Sequence, residues 1–127
     1  MKPISGKILL ALLAVLVLAA SANAAGDARR FTGYKVEMPR ETSPYTAEEG
    51  DKVVAETPSH ALIHQTGYIG AACATGEYVL IHKKRKTWQK VDNGTCDDRG
   101  FVAKLTPDRL IFTLRGKPMA VYPLYAD

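Results

Sequence analysis

Hydrophobic and polar residues alternate with a period of two through most of the second half of the chain. In residues 77–83, Tyr78 and Leu80 fall on one side and Val79 and Ile81 on the other. Such alternation of aromatic and β-branched residues predicts a strand. Similar patterns predict strands over residues 31–38, 60–65, 68–73, 87–91, 101–105, 110–114 and 119–125.

Turn-forming residues separate these segments at intervals of about ten residues, which is typical of an antiparallel meander. Asn93-Gly94 supplies the positive φ angles that tight turns require, and Pro107 fixes φ in another turn. Pro118 and Pro123 lack the N–H that a central strand must donate. We therefore expect the last strand to lie at a sheet edge.

The region before the His60 strand supports two interpretations. Thr46 and Glu49 match a capping box that opens a short helix. Gly50 and the Val53-Val54 pair favour a turn that leads into a strand, and we adopt that interpretation.

The predicted fold is all-β, with seven to nine short strands. A single sheet of that many strands would leave an apolar face in water. We therefore expect a small antiparallel meander that forms a sandwich or a partly closed barrel, with one disulfide.

The first 24 residues have the features of a cleaved secretory signal peptide. Lys2 and Lys7 precede an apolar run over residues 8–20, and Ala22 and Ala24 occupy the −3 and −1 positions. We predict cleavage between Ala24 and Ala25, with a single β-rich domain over residues 25–127. The alanine-rich style is bacterial, so the expected location is the periplasm or the outside of the cell. After cleavage, no second apolar run is present to span a membrane.

Removing this leader changes the composition. The whole chain of 127 residues has 17 basic and 13 acidic residues. The remaining 103 residues keep 15 basic and 13 acidic ones, a net charge of +2. This balance and the exported location argue against nucleic acid as a partner.

The two cysteines, Cys73 and Cys96, are predicted to form a structural disulfide. An oxidising compartment favours that bond. The two cysteines are 23 positions apart and neither belongs to a C-x-x-C pair, so their spacing is not that of metal ligands. The bond is expected to join the predicted strand over residues 68–73 to the loop after Trp88.

No catalytic motif, metal site or cofactor site is evident. His60 and His64 share a face at i, i+4, but a zinc site needs a third ligand, so we interpret them as part of a partly exposed strand. His82 is expected to be exposed. Asp97 and Asp98 are expected to lie in a polar loop with Arg99 as counter-ion, since they match no calcium motif.

Four consecutive cations make the most pronounced local feature. Lys83, Lys84, Arg85 and Lys86 follow a predicted strand at a hairpin tip, with Trp88 close by. Such a tip can dock an anionic partner, and an exposed Trp88 can anchor a protein interface or stack on a sugar. Charged turns also keep hairpins soluble, which is an ordinary alternative.

The strand–turn–strand stretch over residues 76–96 is similar in character to units in small periplasmic inhibitors of cell-wall hydrolases. These include the lysozyme inhibitors and the immunity proteins of type VI secreted amidases. The resemblance covers about half of the chain and is one of layout. The Ser-Gly and Thr-Lys-Gly signatures of the lysozyme inhibitors do not occur in residues 25–127, so no inhibitory residue is carried over.

The resulting functional hypothesis is a non-catalytic exported binding protein. It is expected to engage another periplasmic or secreted protein, a cell-wall hydrolase in particular, by filling its cleft with a hairpin. One alternative is an envelope protein that binds anionic glycans such as peptidoglycan or lipopolysaccharide. A third is a small hydrolase that uses His and Asp residues from separate strands.

Overall fold

A computed structural model describes residues 27–37, 43–70 and 72–125. The predicted signal peptide and its cleavage site lie outside the described residues. Within the described ranges, no helix combines the length and the apolar character needed to cross a membrane.

Eight strands form two open sheets in the described part of the chain. The larger sheet has the order β1-β5-β4-β3-β2, and all its pairs are antiparallel except β1 with β5. Its strands are β1 (Lys35–Val36), β2 (Asp51–Glu56), β3 (His60–Gln65), β4 (Glu77–His82) and β5 (Thr87–Val91). The smaller sheet is an antiparallel meander of β6 (Phe101–Leu105), β7 (Arg109–Leu114) and β8 (Lys117–Pro123).

The larger sheet is buried on both faces. On one face, Val79 and Ile81 of β4 join a cluster with Trp88 and the N-terminal segment that contains Phe31. On the other face, Leu80 joins a second cluster with side chains of the smaller sheet. Because two layers cover it, β4 is almost continuously apolar rather than half polar. The prediction of an all-β sandwich with one disulfide is confirmed, and the sheets do not close into a barrel.

Two segments predicted as strands have other structures. In the first predicted segment, the described residues 31–37 contain the end of a 3₁₀ turn, Ala28–Phe31, and then only the two residues of β1. Asp27 caps that turn by accepting a hydrogen bond from the amide of Arg29 at 3.0 Å. The second segment, residues 68–73, begins with the last residue of another 3₁₀ turn, Thr66–Tyr68, and its described part otherwise contributes only an isolated bridge between Gly70 and Cys73. Alternation alone does not reveal such local turn hydrogen bonds.

The segment between Val91 and Phe101 carries the chain from the larger sheet to the smaller one. Gly94 has the positive φ that the Asn-Gly pair predicts, 82°. The next strand nevertheless pairs within the other sheet. The tight hairpin of the meander is instead the turn at Arg115 and Gly116. Both of these residues have positive φ, as a type I′ turn requires. Strand β8 forms one edge of its sheet, as its prolines predict.

The disulfide between Cys73 and Cys96 is present, and it joins two loops at one end of the larger sheet. One loop precedes β4 and the other follows β5. The bond closes a sequence separation of 23 residues, for which chain entropy predicts a stabilisation of about 3 kcal/mol.

We therefore expect the double variant Cys73→Ala/Cys96→Ala to melt more than about 10 °C below the oxidised wild type. Calorimetry at neutral pH measures the difference, and reduced wild type is the control that should match the variant. Equal melting temperatures for oxidised wild type and the variant would show that the bond does not stabilise the domain.

Candidate functional site

One end of the larger sheet carries most of the features that the sequence singled out. Strands β2 and β4 finish there, and β3 and β5 begin there. We call this surface the basic end. We define it by six cations and two carboxylates around the β4–β5 turn: Arg30, Lys35, Lys83, Lys84, Arg85, Lys86, Glu37 and Glu56. The exposed ion pair of Arg29 with Asp27 borders it next to Arg30.

The four consecutive cations form the turn between β4 and β5, as predicted. Lys84, Arg85 and Lys86 are exposed, and Lys83 is partly buried. Lys86 has φ of 55°, in the left-handed region that a residue with a side chain rarely adopts. Its carbonyl accepts a hydrogen bond from the amide of Lys35 in β1 at 3.0 Å. The turn is thus tied to a neighbouring strand through its most strained residue.

Glu56, the last residue of β2, anchors one side of this turn. Its carboxylate accepts hydrogen bonds from Arg30 at 2.6 and 3.2 Å and a further one from the ammonium of Lys83. Lys83 also donates to the carbonyl of Thr57 at 2.7 Å. Partial burial raises the pKa of Glu56, but the hydrogen bonds from Arg30 and Lys83 outweigh it and hold this pKa below its usual value.

Arg85 anchors the other side. One guanidinium nitrogen lies 3.3 Å from the carboxylate of Glu37, and another donates to Nδ1 of His82 at 2.9 Å. Two of the four tip cations therefore reach back to the body of the domain. Because ion pairs hold them on both sides, the exposed turn is ordered before any partner arrives.

A chain of polar side chains runs beneath the turn through two buried histidines. Ser59 Oγ lies 2.9 Å from His60 Nδ1, and His60 Nε2 lies 3.2 Å from His82 Nδ1. His82 Nε2 lies 3.0 Å from the amide oxygen of Gln89. His60 is 2% exposed and His82 is 6% exposed. The predictions that His82 is exposed and that His60 lies in a partly exposed strand are therefore wrong.

The arginine determines the direction of every hydrogen bond in this chain. Arg85 can only donate, so His82 Nδ1 accepts and His82 Nε2 carries the proton that it donates to Gln89. His60 donates through Nε2 to the same Nδ1 atom, so Arg85 at 2.9 Å and His60 at 3.2 Å share its single lone pair, and His60 accepts from the hydroxyl of Ser59. The network assigns these tautomers, and it provides hydrogen bonds for the two buried histidines and for the half-buried Ser59 and Gln89. It supports the turn from below.

A hydroxyl beside an imidazole is also the pairing that nucleophilic catalysis uses. The amides around Ser59 are, however, already engaged. The amide of His60 donates to Thr57 Oγ1, that of Thr57 to the carbonyl of His60, and that of Lys83 to the carbonyl of Ser59. These three donors therefore cannot form an oxyanion hole. The arrangement fits a structural role for the histidine pair.

His64 does not work with His60, although the two lie on one face of β3. It stacks on Tyr78 with ring centroids 4.5 Å apart and donates from Nε2 to the carbonyl of Thr75 at 2.8 Å. The partner of His60 is His82, which lies directly opposite it in the β3–β4 pairing. Among the described residues, His, Cys, Asp and Glu form no group of three that could hold a metal ion.

Trp88 does not join the contact surface that the sequence suggested. Its side chain is 8% exposed, and it packs edge-on against Tyr45 with ring centroids 6.0 Å apart. Trp88 points into the core because Phe31 and the Tyr45 segment cover that face of β5. Of the residues proposed for partner contact, only the four cations lie at the turn.

The aspartates near the disulfide form the polar loop that was predicted. Asp97 accepts a hydrogen bond from the amide of Arg99 at 3.1 Å, and its ion pair with that residue is confirmed. A second cation, Arg115 from the β7–β8 turn, binds the other carboxylate oxygen at 3.1 Å. The sequence missed this partner because it comes from a distant hairpin.

The lowered pKa of Glu56 predicts how acid affects stability. A carboxyl whose pKa is lower in the folded state stabilises the fold fully above its unfolded value, here 4.5. That contribution is lost as the pH falls through the folded value. We expect Glu56→Gln to lose about 1–2 kcal/mol at pH 7 and to have a flatter stability profile than wild type below about pH 5. Urea unfolding from pH 7 to pH 3 measures both.

The matched control for this prediction is Glu49→Gln, which changes an exposed carboxyl in the turn before β2. It should keep the acid slope of the wild type. A wild-type slope for Glu56→Gln would contradict the role assigned to the ion pairs at Glu56.

The histidine chain predicts coupled effects on stability. His82→Phe keeps an aromatic ring but leaves His60 and Gln89 without their present partner, so it should cost about 1–3 kcal/mol. Adding Gln89→Leu should cost less than the sum of the two single changes, because both remove the same hydrogen bond. Denaturant unfolding of the four proteins in this cycle measures the coupling, and strict additivity would show that the chain is not a network.

Comparison with known proteins finds no relative whose functional site could be compared with this one. No protein-family model, no curated protein and no solved structure matches the chain at a significant level. We therefore infer the function from the geometry and charge of the basic end.

Proposed function

We propose that this chain is a non-catalytic exported binding protein that docks its basic end on an acidic surface of another exported protein. The observation that carries the proposal is the charge of this end. The side chains that define it are six cations and two carboxylates, and the two carboxylates pair with Lys83 and Arg85 and hold them in place. The ordered turn that results is exposed at this end of the sheet.

The physical role of such a turn is to steer and orient a partner. A positive surface increases the rate of encounter with an acidic one and disfavours partners of like charge. Lys84 and Lys86 are the exposed lysines of the turn, and their chain positions are fixed by the residues on either side. A partner therefore meets cations whose positions are set in advance, which reduces the entropy lost on binding.

A cell-wall hydrolase is the partner class that we propose. The layout resembles that of small periplasmic inhibitors of such enzymes, and an exposed turn between two strands can enter and occlude a cleft. Inhibition would come from filling that cleft, with the lysines paired to acidic groups at its rim. This mechanism requires no nucleophile or cofactor from the chain.

Anionic glycans present the same charge as an acidic protein surface and are the alternative ligand. The basic end fits the phosphates of lipopolysaccharide and the carboxylates of peptidoglycan stems by the same long-range attraction. A protein partner differs in offering a cleft that the hairpin can fill, so inhibition of an enzyme separates the two functions.

The test compares two pairs of substitutions that remove equal charge. Lys84→Gln/Lys86→Asn changes the turn, with asparagine at position 86 because it tolerates positive φ. Lys104→Gln/Lys117→Asn changes two exposed lysines of the smaller sheet and is the control. Purified residues 25–127 are added to a periplasmic extract of the encoding bacterium, and release of dye from labelled peptidoglycan is measured. We expect inhibition by wild type, weakened about tenfold by the turn pair and less than about twofold by the control.

Three results would overturn the proposal. One is a lack of inhibition by the wild-type domain at any ratio, and another is equal weakening by the two lysine pairs. The third is retention of the domain on purified peptidoglycan or lipopolysaccharide at low salt without inhibition of the extract, provided that Lys84→Gln/Lys86→Asn abolishes this retention, which would assign the basic end to glycans.

A further inference from the structure

A cleft lies at the opposite end of the larger sheet, where β4 begins and β5 ends. Its volume is about 710 Å³, within the range of small-molecule sites. The disulfide forms part of its wall, together with the chain that follows β5 and the exposed ring of Tyr68. The basic end takes no part in it.

The walls of this cleft are fixed by covalent and hydrogen bonds. Cys73 and Cys96 join its two loops. The buried amide of Asn93 donates to Thr75 Oγ1 at 3.1 Å and to the carbonyl of Gly76 at 3.3 Å. From the smaller sheet, the hydroxyl of Tyr122 donates to the carbonyl of Asp92 at 2.6 Å. A ligand would therefore enter a site that is already formed, with little ordering still to be done.

Tyr68 provides a flat aromatic wall. The residue is 43% exposed, so part of its ring is open to solvent. Its hydroxyl donates to Glu48 at 3.2 Å, and the ammonium of Lys90 lies 5.4 Å from its ring centroid. Both contacts restrain the position of the ring where it lines the cleft.

The charged groups of the cleft limit which ligands fit. Three charged residues line it, the carboxylates of Glu77 and Asp92 and the ammonium of Lys90. Glu77 and Lys90 lie 3.1 Å apart and largely neutralise each other. An anion would meet a net negative lining, and an apolar ligand would strip water from charged groups without replacing their hydrogen bonds.

A neutral sugar satisfies both constraints. Its hydroxyls can donate to the carboxylates and accept from the ammonium. The C–H groups on one face of its ring are weakly positive, which suits the negative face of an aromatic ring. We propose that this cleft binds a neutral oligosaccharide, which stacks on Tyr68 and is hydrogen-bonded by Glu77, Lys90 and Asp92.

This proposal is independent of the one for the basic end. The two surfaces lie at opposite ends of β4 and β5. The proposed ligand of the cleft is a neutral sugar, whereas the proposed ligand of the basic end is an acidic surface. Binding in the cleft should change little with salt because the ligand carries no charge, whereas docking at the basic end should weaken as salt rises.

The experiment is a titration of ¹⁵N-labelled residues 25–127 with the neutral trisaccharides tri-N-acetylchitotriose, cellotriose and maltotriose, followed by amide chemical shifts. We expect at least one of them to bind saturably, with a dissociation constant of about 1 mM and the largest shifts at Tyr68, Glu77 and Lys90. Tyr68→Ala should weaken binding at least tenfold. Tyr68→Phe keeps the ring face and should stay within about threefold of wild type.

The matched control is Tyr125→Ala, which removes the most exposed tyrosine of the described chain and lies outside the cleft. It should leave the affinity unchanged. The spectrum of each free variant shows whether it is folded, and we expect all to be folded because both side chains are exposed. A lack of saturable shifts with all three sugars at about 10 mM would overturn the proposal. Shifts that persist undiminished in Tyr68→Ala would also overturn it.

Discussion

Burial of β3 and β4 on both faces is the constraint on which the rest of this structure depends. A strand in the middle of three layers has no solvent-facing side, so it must be apolar at nearly every position. Leu62, Ile63, Val79, Leu80 and Ile81 are each almost completely buried. The smaller sheet covers one face, and the segments that contain Phe31 and Tyr45 cover the other. Polar chemistry in this larger sheet is therefore concentrated at the two ends of its strands.

The two ends are built differently. The basic end is held together by hydrogen bonds and ion pairs, with Glu37, Glu56 and the histidine chain positioning a turn of four cations. The opposite end is held by the disulfide and by the amide of Asn93. Positive charge dominates the first surface, and an exposed aromatic ring with a weakly negative lining characterises the second. These differences are the reason that we propose a different class of ligand for each end.

The sequence predicted the parts of this molecule that depend on local pattern. The alternation of residues and the turn residues correctly located β3 to β8. The expectation of an oxidising compartment correctly predicted the disulfide. The missed features depend on which strands lie opposite each other. His60 meets His82 only through the register of β3 and β4, and Trp88 is buried only because Tyr45 packs on it. Tyr68 was assigned to a strand because a 3₁₀ turn leaves little trace in alternation.

Charge repulsion and backbone strain, which both lower the stability of the fold, occur together in the basic turn. Four consecutive cations repel one another, and Lys86 adopts a left-handed conformation that a residue with a side chain rarely takes. Carboxylates from two other elements offset part of the repulsion, and the buried His82 accepts the hydrogen bond of Arg85 and donates in turn to Gln89. A turn needed only for solubility requires neither the strain nor these contacts. Their convergence favours a binding role for this turn over a purely solubilising one.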